Sequence, residues 1–499
     1  MSVRLGALLA ISVLAAACSH REPPGRRSDL ATTIDFSVPT AEPSPRPASA
    51  PSAAPEAAPR RVQREPSPDS RIGSIAMRTW IYDQPDNRAR KLGYLRAGAV
   101  VDRSPDPVGT KGCEGGWYRV PPRGHVCVGK GATLDLTHPI VQAASGAPRR
   151  GQPLPYDYAM SGTEPPHLYF RLPSVADQQR VEGQRRAGAA LPPALAKLPV
   201  SEVPEFLLSG RDLPQPYGSD KNLSYSVHRG RARANSAFGF STLFEWTDRR
   251  FGLTTELDLV ALDQTKPAVY SQVRGIELVS GGRPAFVLAS GTRAYVPSGA
   301  TFKPAQGIPG RTGFELTGKE HGGASGLLET TAGVWLPAPA LVVGELRKDR
   351  ASHAERGKKW ISVSIEKQLL IAYEGERPVY AALVSTGRGG MGDPETSFAT
   401  LRGTFMIRAK HVSGTMDGEE GSDEAFDLRD VPYIQYFHEG FALHAAYWHD
   451  EFGKPRSHGC VNLSPTDAAH LFEWTDPKVP AEWHGATSPQ GGTLVYVHK

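Results

Sequence analysis

The chain has 499 residues, too many for one ordinary hydrophobic core, so a single small module is excluded and about two to four domains are expected. Hydrophobic residues make up 39%, which leaves part of the length unpacked, and 52 Gly with 44 Pro favour linkers, turns and β-rich modules over helical bundles. The 57 Lys and Arg against 52 Asp and Glu give a formal charge of +5, too mild for a dedicated nucleic-acid binder, and no nucleic-acid partner is expected.

Arg4 precedes an uncharged apolar run over residues 5–17, and three alanines lead into Cys18. Residues 1–18 therefore read as a secretory signal, because the run falls short of the roughly 20 apolar residues that cross a bilayer. The stretch Leu14-Ala15-Ala16-Ala17-Cys18 resembles a bacterial lipobox, although Ala15 stands where that pattern prefers Leu. The resemblance implies lipidation of Cys18 and anchoring to a membrane; ordinary cleavage near the alanines is the other reading. Both make the protein exported, in the cell envelope, either periplasmic or a membrane-anchored lipoprotein. Residues 19–70 are rich in Pro, Ala, Ser and Arg and cannot bury enough apolar surface to offset their ordering entropy, so they read as a disordered tether.

Over residues 71–138, strand-length apolar pieces alternate with turn signals, as in Ile75-Ala-Met-Arg-Thr-Trp-Ile-Tyr82 and Gly116-Trp117-Tyr118-Arg119-Val120. Together with Tyr82-Asp-Gln-Pro and Gly93-Tyr-Leu-Arg-Ala-Gly, these pieces resemble a bacterial SH3-like domain, a small barrel. In that family such modules bind cell-wall peptide or glycan, or pack against a catalytic domain. Cys113 and Cys127 lie in this segment and are expected to form a disulfide in an oxidising compartment, closing a short loop.

Residues 139–350 are less readable. A short helix is expected near residues 174–188, and Leu253-Thr-Thr-Glu-Leu-Asp-Leu259, Ala285-Phe-Val-Leu-Ala289 and Gly333-Val-Trp-Leu-Pro337 suit strands, giving one β-rich middle domain of unassigned role. His321 and His353 show no ligand spacing and read as surface residues; no metal site is expected.

Residues 355–499 carry the sharpest patterning. Ile361, Val363 and Ile365 alternate with serines, a second apolar run ends at Tyr373 before the turn Glu374-Gly375-Glu376, and Val379 onward returns as a strand. Residues 387–392 read as a flexible loop and Gly403-Thr-Phe-Met-Ile-Arg408 as another strand. Ser464-Pro465-Thr466-Asp467 offers a capping hydroxyl, a helix-starting Pro and an early acidic residue, so a helix should follow.

The chemistry concentrates in Ser457-His458-Gly459-Cys460-Val461-Asn462, preceded by Phe441-Ala442-Leu443-His444. A neutral-pH cysteine is mostly protonated, so a nucleophilic Cys460 needs a base. His458, two positions away, shares a face with Cys460 if the segment is extended, and a turn would change that. His444 arrives from another strand and can aim its imidazole at the sulfur, leaving the Gly459 backbone for an oxyanion contact; it is the favoured base.

The string closely resembles the signature of the YkuD-type L,D-transpeptidases, with His444 at the family's upstream histidine, and the likeness takes in Val384-Ser-Thr-Gly387, Gly403-Thr-Phe405 and Tyr447-Trp448-His449. It implies a β-sandwich with a short helix after the motif, within a chain that is mainly β throughout. It also implies a cysteine acyltransferase acting on peptidoglycan stem peptides: Cys460 is the nucleophile, His444 the base, Gly459 and its neighbours the oxyanion donors, and Ser457, His458 and Asn462 orient the loop. No metal or organic cofactor is implied. Tyr433, Tyr436, Tyr447 and Trp448 are candidates for the substrate groove, or else core residues. Arg456 is a candidate for a substrate carboxylate, and Asn462 is counted with the substrate-binding set. Residues 445–456 make a shorter spacer than the family pattern, Ala445 stands where Gly often follows the histidine, and Leu401 where Pro is common. An L,D-carboxypeptidase or exchange enzyme at the same thiol, and a non-catalytic wall-binding scaffold, are the competing expectations.

Overall fold

A computed structural model describes residues 70–162, 164–183, 190–219, 226–347, 358–417 and 427–499. The expected signal, the tether to residue 69, Cys18 and His353 lie outside the described residues. The chain is mainly β, and the strands among the described residues gather into four sheets.

At the N-terminal end of the described chain, Arg71–Ser74 lies between Val100–Asp102 and Ala132–Thr133, antiparallel to both. Thr79–Tyr82 pairs with Lys91–Leu95. Alternation along these short strands buries Ile72, Ile81, Leu95, Val101 and Val126. Cys113 and Cys127 are joined by a disulfide. The edge strand Lys91–Leu95 does not stay within the module, because it pairs antiparallel with Gly485–Thr487 near the C-terminus. Glycine on both sides makes that seam possible. A Cβ at Gly93 would lie 2.2 Å from the Gly485 carbonyl oxygen, and one at Gly485 would lie 2.4 Å from the Tyr94 ring.

The strands of the middle segment pair in two separate regions. In the first, Asp157–Ser161 and the hairpin of Ala237–Trp246 with Arg249–Thr254 extend the largest sheet, and Ala237 pairs in parallel with Leu428. The expected helix is Val175–Glu182, started by a capping box between Ser174 and Asp177. In the second region, strands from Pro284–Val287 to Leu341–Val343 form a seven-stranded sheet of their own around Phe286, Val287, Ala294 and Leu336. Gly- and Pro-bounded strand patterns announce that strands exist, but they carry no information about which remote strands will pair.

The C-terminal region is a β-sandwich. One layer has the order Ile276–Glu277, Arg377–Leu383, Leu369–Glu374, Lys359–Ser364, Leu494–His498, Gly403–Met406, so its edge is covered by a strand from the middle segment. The other layer holds Ala409–Asp417, Asp427–His438, Phe441–Ala445 and Val461–Leu463. Ile361, Val363, Leu370, Leu443, Val461, Leu471, Phe472 and Val495 fill the space between, each fully buried side chain of this size stabilising the fold by about 1.5–3 kcal/mol. The helix Pro465–Trp474 begins where Ser464 accepts the Asp467 N–H at 3.1 Å. It ends on the buried Lys410 ammonium, which donates to the Phe472 and Thr475 carbonyls.

Candidate active site

The site is assembled by a parallel pairing. Phe441–Ala445 lies beside Val461–Leu463, with Leu443 opposite Val461 and His444 opposite Asn462. Cys460 precedes Val461 directly, so this register carries the sulfur-bearing turn to the histidine strand. Both Cys460 and His444 are completely buried, and Cys460 is the cysteine outside any disulfide among the described residues.

The turn that presents Cys460 is braced from inside and outside. The Ser457 hydroxyl donates to the Cys460 carbonyl and accepts the Gly459 N–H at 3.1 Å. Ser457 N–H donates to the Thr386 carbonyl at 3.0 Å, and Arg388 N–H donates to the Ser457 carbonyl at 2.6 Å. Ser385 and Asn462 exchange two backbone bonds of 2.9 Å each. The Val384-Ser-Thr-Gly387 run is therefore the outer brace of the motif. Gly459 adopts φ +134°, a region open to glycine, and a Cβ there would stand 2.9 Å from the Phe441 ring.

That turn also sets the place of His458. Residues 458–460 form a bend rather than a strand, so the shared-face relation of an extended chain does not apply to His458 and Cys460. The His458 ring instead stacks on Phe398 with centroids 4.0 Å apart, and the Arg388 guanidinium covers the same phenyl ring at 4.2 Å.

His444 Nδ1 lies 3.0 Å from the Ala445 carbonyl oxygen. A carbonyl only accepts, so Nδ1 carries the proton and Nε2 holds the basic lone pair. The Cys460 thiol donates to the Gly440 carbonyl at 3.5 Å.

His449 belongs to this constellation although sequence reasoning gave it no role. It is buried, and burial first, then the charges of Arg456 and His444, pushes its pKa down to about 3, so it is neutral at pH 7. Glu451 N–H donates to its Nδ1 at 3.2 Å, which puts the ring proton on Nε2, 3.0 Å from the Asn462 amide nitrogen as placed. Two donors cannot face each other, so the Asn462 amide belongs in the flipped orientation, its oxygen accepting from His449. The only sequence signal for this role was the position of His449 in the Tyr447-Trp448-His449 run.

The geometry also places the remaining candidates. Asn462 is buried and bonded to His449, so it holds the loop instead of meeting substrate. Tyr433 is fully buried against Phe472, its hydroxyl donating to the Gln152 carbonyl, and Tyr447 is buried against Tyr158 with its hydroxyl on the Arg429 carbonyl; both are core. Arg456 pairs with Glu451 inside the shortened spacer, both side chains partly exposed. The Gly459 N–H, expected to await an oxyanion, is occupied by the Ser457 hydroxyl. Tyr436 packs edge-on against His411, with ring centroids 5.7 Å apart. Trp448 remains at the site, partly exposed, with its ring 5.8 Å from that of His444.

Residues 358–497 match the family model for YkuD, the L,D-transpeptidase catalytic domain. The YkuD match coincides with the sandwich that holds Cys460 and His444. No curated protein is similar enough to the chain to match it. Among solved structures, the chain is similar to a mutant form of the Enterococcus faecium L,D-transpeptidase, with 22% identity over 28% of this chain and 50% of that one and a TM-score of 0.22. An L,D-transpeptidase from Stackebrandtia nassauensis gives 27% identity over 31% and 60% of the two chains with a TM-score of 0.21. One from Mycobacterium smegmatis gives 17% over 46% and 94% with a TM-score of 0.23. The match spans half the length of the E. faecium chain. Beyond the YkuD region the remaining modules carry no such assignment, and the described residues contain no helix long and apolar enough to cross a membrane.

Proposed function

We propose that the protein is an exported cysteine L,D-transpeptidase that works on peptidoglycan stem peptides. The observation that carries the reading is the register of His444 against Asn462 within the YkuD-matching sandwich, which brings an imidazole with its basic lone pair on Nε2 to the turn bearing a buried thiol.

His444 Nε2 takes the thiol proton and the Cys460 thiolate attacks the carbonyl of the L-centred diamino residue of a stem tetrapeptide. The tetrahedral intermediate collapses to a thioester as the C–N bond to the terminal D-alanine breaks, and the imidazolium returns its proton to the departing amine. An acceptor amine then attacks the thioester, losing its proton to His444, and the thiol is regenerated as the new amide forms. Ser457 and His458 hold the turn during both steps, and Asn462 with His449 holds the loop behind it. Complete burial of Cys460 supports transfer to an amine over hydrolysis, because a thioester formed there is shielded from water. It also requires the walls of the site to open for substrate.

The disulfide between Cys113 and Cys127 supports an oxidising compartment, in line with export, and membrane anchoring through Cys18 completes the reading. Incubation with a disaccharide tetrapeptide should release D-alanine, give cross-linked dimers and leave an adduct on Cys460 seen by intact mass spectrometry. Unchanged D-alanine release by Cys460→Ala would sink the mechanism, and release without dimers would point to a carboxypeptidase.

A further inference from the structure

The loop that leaves His444 borders a cavity. A cleft of about 490 Å³ lies between residues 270–276, the turn at residues 309–313 of the seven-stranded unit, and Asp450. Its charged lining is Arg274, Arg311 and Asp450, a net positive balance. Asp450 adjoins His449, so one wall of the cleft is the loop whose next residue back is bonded to Asn462.

Arg311 is held there at a cost. It is a non-glycine residue at φ +62°, a left-handed conformation disfavoured for a residue with a Cβ, and its N–H is tied to the Val287 carbonyl at 2.5 Å. Its guanidinium makes a 3.3 Å contact with Asp450 Oδ2, with both side chains partly exposed. Asp450 has a second partner in the Ser271 hydroxyl at 2.5 Å, so it stays satisfied if Arg311 lets go. A half-exposed pair of this kind is weak, whereas a planar carboxylate entering the cleft can take a guanidinium through two parallel bonds. Arg274 is exposed on the facing segment and adds a second cation.

We infer that this three-walled cleft binds a free carboxylate of the peptide substrate, exchanging it for Asp450 on Arg311, and so seats a stem peptide alongside the catalytic loop. The inference rests on the transpeptidase reading for the identity of the peptide, and not for the chemistry of the cleft. Stem peptides of the donor and of the acceptor both bring free carboxylates.

Binding is measured by calorimetry on the full chain carrying Cys460→Ala, so that no turnover intervenes, with a disaccharide tetrapeptide bearing free carboxylates and with its amidated form. The free acid should bind about tenfold more tightly, the scale of one lost charge-assisted contact. Arg311→Gly, which suits the left-handed backbone, combined with Arg274→Ala should erase that preference, and Asp450→Asn should tighten the free acid by removing the competitor. With Cys460 restored, a double-arginine variant slowed in acylation identifies the donor as the occupant, and one slowed only in transfer identifies the acceptor. Equal binding of both peptides, or a preference that survives the double variant, overturns the inference. If the chain with its thiol releases no D-alanine while the arginine-dependent preference persists, the cleft stands and the catalytic reading falls.

Discussion

The Arg96 guanidinium of the N-terminal module and the Asp430 carboxylate of the YkuD-matching sandwich form a buried ion pair at which three parts of the chain meet. Thr255 of the middle segment donates to the other Asp430 oxygen and accepts from Arg96 at 2.8 Å, and Ser413 donates to Asp430 at 2.8 Å. Asp430 lies on Asp427–His438, the strand that pairs with the histidine strand through Gln435 and Leu443. Burial alone would raise the Asp430 pKa, but the Arg96 charge and the hydrogen bonds from Arg96, Thr255 and Ser413 outweigh it and hold the group below its ordinary value.

Removing one partner strands the other charge. Asp430→Leu should therefore destabilise the protein by about 3–5 kcal/mol, while Arg96→Met combined with Asp430→Leu should recover much of that loss. Urea unfolding of the two single variants and the double variant measures the coupling. Additive losses would show that the pair does not act as a unit.

Acid should unfold the protein from an unusually high pH. Burial pushes His449 and His484 down to about 3, so both stay neutral in the fold while the unfolded chain takes up their protons near the ordinary 6.5. The unfolded state then binds more protons between about pH 6.5 and 3, and stability falls as pH drops through that window, by at most about 1.4 kcal/mol per pH unit for each histidine. Asp467 opposes this, since burial raises it to about 6 and the fold gains relative stability as pH falls from there towards its ordinary value of 3.8. Melting temperatures between pH 8 and 5 should decline more gently in His484→Gln and more steeply in Asp467→Asn.

His444→Gln should slow formation of the acyl-enzyme by about 10²–10⁴-fold, the usual contribution of a positioned base. Gly459→Ala should be nearly as damaging for a different reason, because it strains the backbone by about 1–3 kcal/mol and drives a methyl into Phe441. Single-turnover acylation and thermal melting separate them: His444→Gln loses rate with little loss of melting temperature, and Gly459→Ala loses both.

Phe398 is 41% exposed yet stacks on His458, so its removal should cost little stability and much positioning. Phe398→Ala should lower kcat/KM about tenfold or more with a stability change below about 1 kcal/mol, and Phe398→Tyr should restore activity. An unchanged kcat/KM would remove the stack from the catalytic machinery.

The amino-acid sequence alone determined what local chemistry can encode. Ser464, Pro465 and Asp467 stand within one helical turn and set the start of the helix, Ser174 and Asp177 do the same earlier, and the alternation at Ile361, Val363 and Ile365 marks a strand whose apolar positions go into the core. The candidate thiol and its proposed base were nameable for a related reason, since Cys460 and His444 sit in short strings whose residue types are chemically distinctive. Only the tertiary structure decided which partner each residue meets. Arg96 reaches Asp430 across 334 positions, Gly93 meets Ala486 through a seam that only glycine permits, and His449 finds Asn462 because two strands run parallel. Such pairings depend on long-range closure of the chain and leave no periodic mark in the text. The same gap explains Tyr433, an aromatic residue on the strand beside the histidine strand that could have faced substrate or core until its register turned it inward.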